Sequence, residues 1–200
     1  VQLNDTHPTV AIPELLRLLV EEAGMRFADA VQVAHDTFAY TNHTIMPEAL
    51  EKWDQKLFRG VLPRVYPYVK KLDALLRRTL EQRGVPMGEV SRYAILEDGM
   101  VHMARMAIFA THSTNGVARL HTEILKDTAL HEWYELYPER FNNKTNGVTQ
   151  RRWLALANPE LAALLHDAVG DGWLTDLSQL KRLEPCADDP AFLARFMDVK

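Results

Sequence analysis

Three short polar clusters are the parts of this chain best equipped for chemistry: Asn4-Asp5-Thr6-His7-Pro8, Tyr40-Thr41-Asn42-His43-Thr44 and Asn143-Lys144-Thr145-Asn146-Gly147-Val148-Thr149. Each gathers amide, hydroxyl and imidazole groups with a Pro or Gly nearby, and each falls where the helical periodicity of the flanking sequence stops. Polar groups withdrawn from water must be hydrogen-bonded or they cost stability. Clusters of this kind are therefore either satisfied loop anchors or the lining of a site for a ligand rich in hydroxyls. Both readings apply residue by residue. Asp5 and His7 could be a helix cap and a turn anchor, and Asn146-Gly147 is a turn signature wherever it occurs.

Other chemistries leave no trace. The eight histidines include no pair three or four apart on a helix, so a zinc-type signature is missing. No glycine-rich phosphate loop precedes a lysine, and no G-x-S-x-G elbow is present. Glu48 and Glu51 lie three apart on one expected helical face, too close to flank a glycosidic bond from opposite sides. A net charge of −4 with no basic stripe argues against nucleic acid. The single Cys186 excludes an internal disulfide framework and suits a reducing, cytoplasmic setting. No apolar run approaches the ~18 residues that span a bilayer.

The elements that must carry these clusters are mostly helices. Ile12, Leu15, Leu16, Leu19 and Ala23 predict a helix over 13–24 with Pro13 in its first turn. Phe27 to Phe38 repeats in the same way, and an extended segment follows at 39–41. A helical start is expected at Pro47–Lys52, and a long helix over 61–83, kinked or delayed by Pro67. Glu97-Asp98-Gly99 is a turn signal. Met103 and Met106 line the core face of a helix over 101–112, and 118–137 is helical with a break near Asp127. Oxygen-bearing caps stand at Thr149, Asn158, Thr175 and Asp189. Val1–Leu3 and 39–41 read as short strands with polar residues at their ends, which is where open α/β sheets bind ligands. The chain opens without Met and stops inside a helical pattern, so it reads as a piece of a longer protein, with 137–143 the best crossing between subdomains.

The clusters also resemble a known family. Gln2 to Pro8, Ala39 to Thr44 with Pro47-Glu48-Ala49-Leu50-Glu51, Asn115 to His121 and Asn143 to Leu154 are similar, in the same order, to the glycogen/starch/maltodextrin phosphorylases. The likeness runs over essentially the whole chain. It implies part of a 1,4-α-glucan phosphorylase, which uses inorganic phosphate to release glucose 1-phosphate from an α-1,4-glucan. The fold it implies is a helix-rich α/β fragment of a two-domain, Rossmann-like, GT-B type enzyme. Residues 1–140 would end the N-terminal glucan-binding domain, and 141–200 would begin the C-terminal domain. The cofactor implied is pyridoxal phosphate, on a lysine that is not in this chain, and the partners are glucan, phosphate and a second subunit of a homodimer.

Carried onto this sequence, the resemblance makes His43 the catalytic histidine that bonds the 6-hydroxyl of the reacting glucose, with Asn146 on the same hydroxyl. Asp5 and His7 would lie beside the anomeric carbon with Glu51 behind them, and Thr44 and Val117 would complete the wall. Gln150 stands where relatives commonly have Pro. Tyr66 and Tyr68 are candidates for a secondary glucan surface, with plain helix packing as the alternative. Two other functions compete: a non-catalytic carbohydrate-binding or scaffold module that kept the pocket motifs, and a hydrolase using Asp5 and Glu51.

Overall fold

Leu3, Tyr40, Thr114 and Phe141 stand side by side in one buried row across four strands, and the rest of the first unit is built around that row. The computed structural model describes residues 1–47 and 50–200. The chain divides into two units, Val1–Asn146 and Gly147–Lys200. In chain order the first contains β1 (Gln2–Asn4), α1 (Ala11–Arg17), α2 (Phe27–Thr37), β2 (Ala39–Thr41), β3 (Lys52–Asp54), α3 (Gln55–Val61), α4 (Tyr66–Gln82) and α5 (Val90–Tyr93). It continues with β4 (Leu96–Glu97), β5 (Met100–His102), α6 (Met103–Ala110), β6 (Thr114–Gly116), α7 (Arg119–Ile124), α8 (His131–Leu136) and β7 (Phe141–Asn143). The helix-rich α/β class expected from the sequence is what forms.

The main sheet runs β1-β2-β6-β7 with all neighbours parallel, and helices supply the crossovers that parallel pairing needs. Next to the apolar row lies a polar one, Asn4, Thr41, Asn115 and Asn142. Thr41 and Asn115 bond within it, and Gln2 and Gly116 complete the Asn115 side chain. Thr41 Oγ1 donates to Asn115 Oδ1 at 2.8 Å, Gln2 Nε2 reaches the same oxygen at 3.3 Å, and Asn115 Nδ2 donates to the Gly116 carbonyl at 3.0 Å. A second sheet, β3-β5-β4, is antiparallel.

Several boundaries differ from the sequence expectation, for physical reasons. Residues 100–102 are strand rather than helix. Asp98 and Gly99, at φ +51° and +72°, close a two-residue turn of the kind whose twist suits a hairpin, and this returns β5 along β4 and against β3. The helix expected from 61 begins at Tyr66, with Pro67 in its first turn where a missing donor does no harm. Ahead of it, Val61 ends α3 and 62–65 form a turn. The helix expected over 13–24 is α1 followed by a wider π-type turn, Leu18–Glu22, and the break near Asp127 is a similar turn, Leu125–Ala129. Of the helical start at Pro47–Lys52, Glu48 and Ala49 lie outside the described residues and Lys52 belongs to β3. Tyr68 is buried and Tyr66 donates to Gln55 Oε1 at 3.0 Å, so both pack rather than form an exposed aromatic surface.

α4 buries Val69, Leu72, Leu76 and Leu80 completely, while Met103 and Met106 enter the same core from α6. Asp73 is the polar exception on α4. Its carboxylate accepts from the backbone N–H groups of Ile95 (2.8 Å) and Leu96 (3.1 Å) and from Arg77 Nε (2.8 Å), which ties the helix to β4. Arg140 closes α6: its Nη1 donates to the carbonyls of Ile108, Phe109 and Thr111 at 3.0–3.2 Å, and its guanidinium lies 3.8 Å from the Tyr137 ring centre.

The second unit consists of a π-type turn (Arg151–Leu156), α9 (Pro159–Val169), a 3₁₀ run (Leu177–Asp188) and α10 (Pro190–Val199), around Leu165, Val169 and Trp173. Asn158 caps α9 through Leu161 N at 3.1 Å, and Asp189 caps α10 through Ala191 N at 2.9 Å, both as expected. The other two caps shift by one residue. Asp176 rather than Thr175 accepts, from Ser178 N, and Gln150 replaces Thr149 at the helix start. Gln150 makes no cap bond; its Nε2 donates to the Leu174 carbonyl at 3.1 Å, a contact Pro could not offer. Among the described residues no helix is long and apolar enough to cross a membrane.

Two predictions test this packing. Asp73→Ala leaves two backbone N–H groups of β4 and its approach without acceptors, which should cost about 2–4 kcal/mol in urea unfolding; an unchanged midpoint would show that other groups carry the contact. His102, 8% exposed, is held by burial, with Arg105 and Lys52 adding to it, from the ordinary 6.5 down to about 4. The folded imidazole stays neutral while the unfolded one takes up a proton below 6.5, so its contribution is present above pH 6.5 and is lost as pH falls to 4, by about 3 kcal/mol. His102→Gln should flatten the acid limb of the stability–pH curve, and a limb as steep as the parent's would contradict this.

Candidate functional site

All four strands of the main sheet are parallel, so their carboxyl ends share one edge, the edge at which such sheets bind ligands. Asp5 follows β1 by one residue, His43 follows β2 by two, Val117 follows β6 by one and Asn146 follows β7 by three. Residues far apart in the chain are thus delivered to a common rim by register alone.

Hydrogen bonds fix the rim. The Asp5 N–H donates to the Thr41 carbonyl at 2.8 Å, which prolongs the β1–β2 pairing past the strand. Asp5 then turns into the left-handed region at φ +54°, a conformation that Asp tolerates better than most residues. This places its Oδ1 3.0 Å from His43 N, so the carboxylate accepts from the backbone of the next strand's loop. On the other side of that loop, His43 Nε2 lies 3.1 Å from Asn4 Oδ1. Where the carboxamide oxygen accepts, Nε2 is the donor and Nδ1 is the ring's remaining acceptor. Thr44 N donates to Asn42 Oδ1 at 3.0 Å, and Thr44 Oγ1 accepts from Met46 N at 3.2 Å, which makes this a side-chain-braced turn.

Glu51 does not sit on a helix. It directly precedes β3, and Thr6 Oγ1 donates to its Oε2 at 2.6 Å while His7 Nδ1 lies 3.2 Å from its Oε1. Thr6 is fully buried, so this bond satisfies a hydroxyl that water cannot reach. Behind Asp5, Glu51 therefore orients the 6–7 segment. On the far strands, Lys144 N donates to the Gly116 carbonyl at 3.1 Å and Asn146 N to the Val117 carbonyl at 2.9 Å. The main chain of Asn146 is anchored and its side chain is exposed.

Asp5, His43, Val117 and Asn146 are thus brought to one edge, with Thr44 one residue past His43, and His7 and Glu51 are paired beside them. The sequence reading left out Asn4, Thr6 and Asn42, the groups that hold His43, Glu51 and Thr44. Their signal was membership of the same polar clusters. It also left out His121, whose Nδ1 accepts from Val117 N at 3.1 Å. Burial chiefly, and then the neighbouring His43, hold the His121 imidazole below its ordinary pKa, with Asp5 opposing. Among the described residues the rim offers the carboxylates of Asp5 and Glu51, imidazoles able to accept and donate, and carboxamides, a set suited to hydroxyls. Lys144 beside it donates to Asn142 Oδ1 at 2.6 Å.

The carbohydrate phosphorylase family model matches residues 1–200. Glycogen phosphorylase of Bacillus subtilis (strain 168) is 43% identical over 201 residues, which cover all of this chain and 25% of the relative. That of Synechocystis is 43% identical over 204 residues, and the brain form of Rattus norvegicus is 42% identical over 207, each covering the whole chain and 24% of the relative. The chain spans about a quarter of the length of these relatives. On the match along its entire length, the chain belongs to the carbohydrate phosphorylase family.

Proposed function

We propose that this chain is the sugar-binding part of a 1,4-α-glucan phosphorylase, a reading carried by four ligand-type residues, from four successive parallel strands, on one sheet edge in a chain of this family. In this reading His43 and Asn146 hold the 6-hydroxyl of the terminal glucose, and Thr44 and Val117 close the wall around the ring. Asp5 and His7 stand by the anomeric carbon. Departure of the glycosidic oxygen builds positive charge there, and fixed dipoles and a carboxylate stabilise that charge more than they stabilise the ground state. Asp5 suits the task because its own backbone and the His43 N–H hold it in place before any ligand arrives. Inorganic phosphate accepts the glucosyl group, giving glucose 1-phosphate.

The parallel sheet with its ligand residues beyond the carboxyl ends fits one half of a Rossmann-like, GT-B type enzyme. The first unit would then belong to the glucan-binding domain, and the second would open the cofactor domain. Pyridoxal phosphate would supply a phosphate that exchanges protons with the substrate phosphate. Among the described residues Lys144 is the lysine that follows a strand of the main sheet, and it donates to Asn142. We assign the cofactor lysine to the part of the protein that this chain does not include. A cytoplasmic homodimer is the assembly that family membership and the single cysteine suit.

The full-length gene product should form glucose 1-phosphate from maltoheptaose and inorganic phosphate. Maltodextrin binding without phosphorolysis would replace this reading with that of a carbohydrate-binding module, and phosphate-independent glucose release would replace it with a hydrolase. In the full-length protein His43→Ala should lower kcat on the order of 100-fold with a smaller change in KM, as for loss of a contact that tightens in the transition state. Parental kcat in that variant would remove His43 from the mechanism.

A further inference from the structure

Val117 has no polar side chain, so backbone bonds alone set its place in the wall. Its N–H donates to His121 Nδ1 at 3.1 Å, and its carbonyl accepts from Asn146 N at 2.9 Å. A single residue therefore connects His121 to the main chain of Asn146. A backbone N–H can only donate, so Nδ1 is the acceptor and the neutral ring carries its proton on Nε2. That Nε2 is buried and has no hydrogen-bond partner among the described residues.

The packing around the ring tells the same story. A Cβ at Gly116 would fall 2.9 Å from His121 Nδ1 and 3.0 Å from Thr122 Cα, so the end of β6 lies directly against the first turn of α7. The next residue, Thr122, shares its one hydroxyl proton between the Ala118 carbonyl at 2.9 Å and Asn143 Oδ1 at 3.1 Å, at the end of β7. Two adjacent residues of α7 thus grip the loops that carry Val117 and Asn146. Burial and the neighbouring His43 also disfavour protonation of His121, which keeps the acceptor available at neutral pH.

We propose that His121 is a positioning residue of the sugar pocket, holding Val117, and through it Asn146, at the spacing a bound hexose requires. This rests on the reading of the strand-end clusters as a hexose site. It acts through the backbone of its neighbour and touches no reacting atom.

The test uses two variants of the full-length protein: His121→Phe, which fills the space and offers no acceptor, and His121→Asn, which can present an oxygen near Nδ1. Amide hydrogen exchange over 114–118 and 143–147 should quicken about tenfold or more in His121→Phe and stay within about twofold of the parent in His121→Asn. The kcat for phosphorolysis of maltoheptaose should fall about tenfold in the first with KM changed less, and recover in the second. Thermal midpoints report whether each variant folds; should Phe prevent folding, His121→Leu replaces it. Parental kcat in His121→Phe, or equal losses in both folded variants, would overturn the proposal. Unchanged exchange overturns the brace whatever the activity. A parent that makes no glucose 1-phosphate but shows quickened exchange in His121→Phe rejects the hexose and supports the brace.

Discussion

The Asn115 side chain is the junction on which the rest depends. It accepts from Thr41 on one side and from Gln2 two strands away, and donates to the following carbonyl, while its backbone oxygen receives the Asn42 N–H at 2.9 Å. Each strand of this sheet is only three residues long, so backbone pairing alone provides few bonds to fix register. In a sheet, a slip of one residue would send each side chain to the opposite face. A buried carboxamide that is satisfied only when three strands are aligned makes such slips unfavourable, because they would orphan polar groups out of reach of water. The register it selects is the one that brings Asp5, His43, Val117 and Asn146 to the same edge.

From that edge outward, each rim residue is held by a neighbour from a different strand. Asp5 is fixed to β2 through its N–H and returns the favour through its carboxylate; Asn4 takes the imidazole; Glu51 collects Thr6 and His7. Few of these bonds join residues close in sequence. The loops are short, but they are cross-linked to one another, so their polar groups are held in fixed geometry, the condition under which binding costs least ordering. Electrostatic stabilisation of a developing charge works best when the dipoles are in place beforehand.

Much of this was legible in the residues. The polar clusters, the extended segments 39–41 and 1–3, the core face of Met103 and Met106, and the caps at Asn158 and Asp189 all follow from local patterns that tertiary contacts then reinforce. What escaped is what local pattern does not encode. Met100–His102 has the composition of a helix start, and only the left-handed Asp98-Gly99 pair turns it into a strand. Glu51 has helical spacing from Glu48, yet its environment is set by Thr6, 45 residues earlier. His121 stood within a recognisable run, but its role arises from a backbone N–H four residues before it. The family resemblance supplied roles for side chains; it could not show which main-chain groups hold them.

The anchoring of Asn146 has a mechanical consequence. Its amide is tied to Val117, and the second unit begins at the very next residue, Gly147. Torsional freedom at that glycine lies downstream of the tether. Rotation there would swing whatever follows while leaving the carboxamide in register with its sheet. Torsional freedom one residue earlier would carry the carboxamide along; beyond the tether, it leaves the Asn146 main chain fixed to Val117.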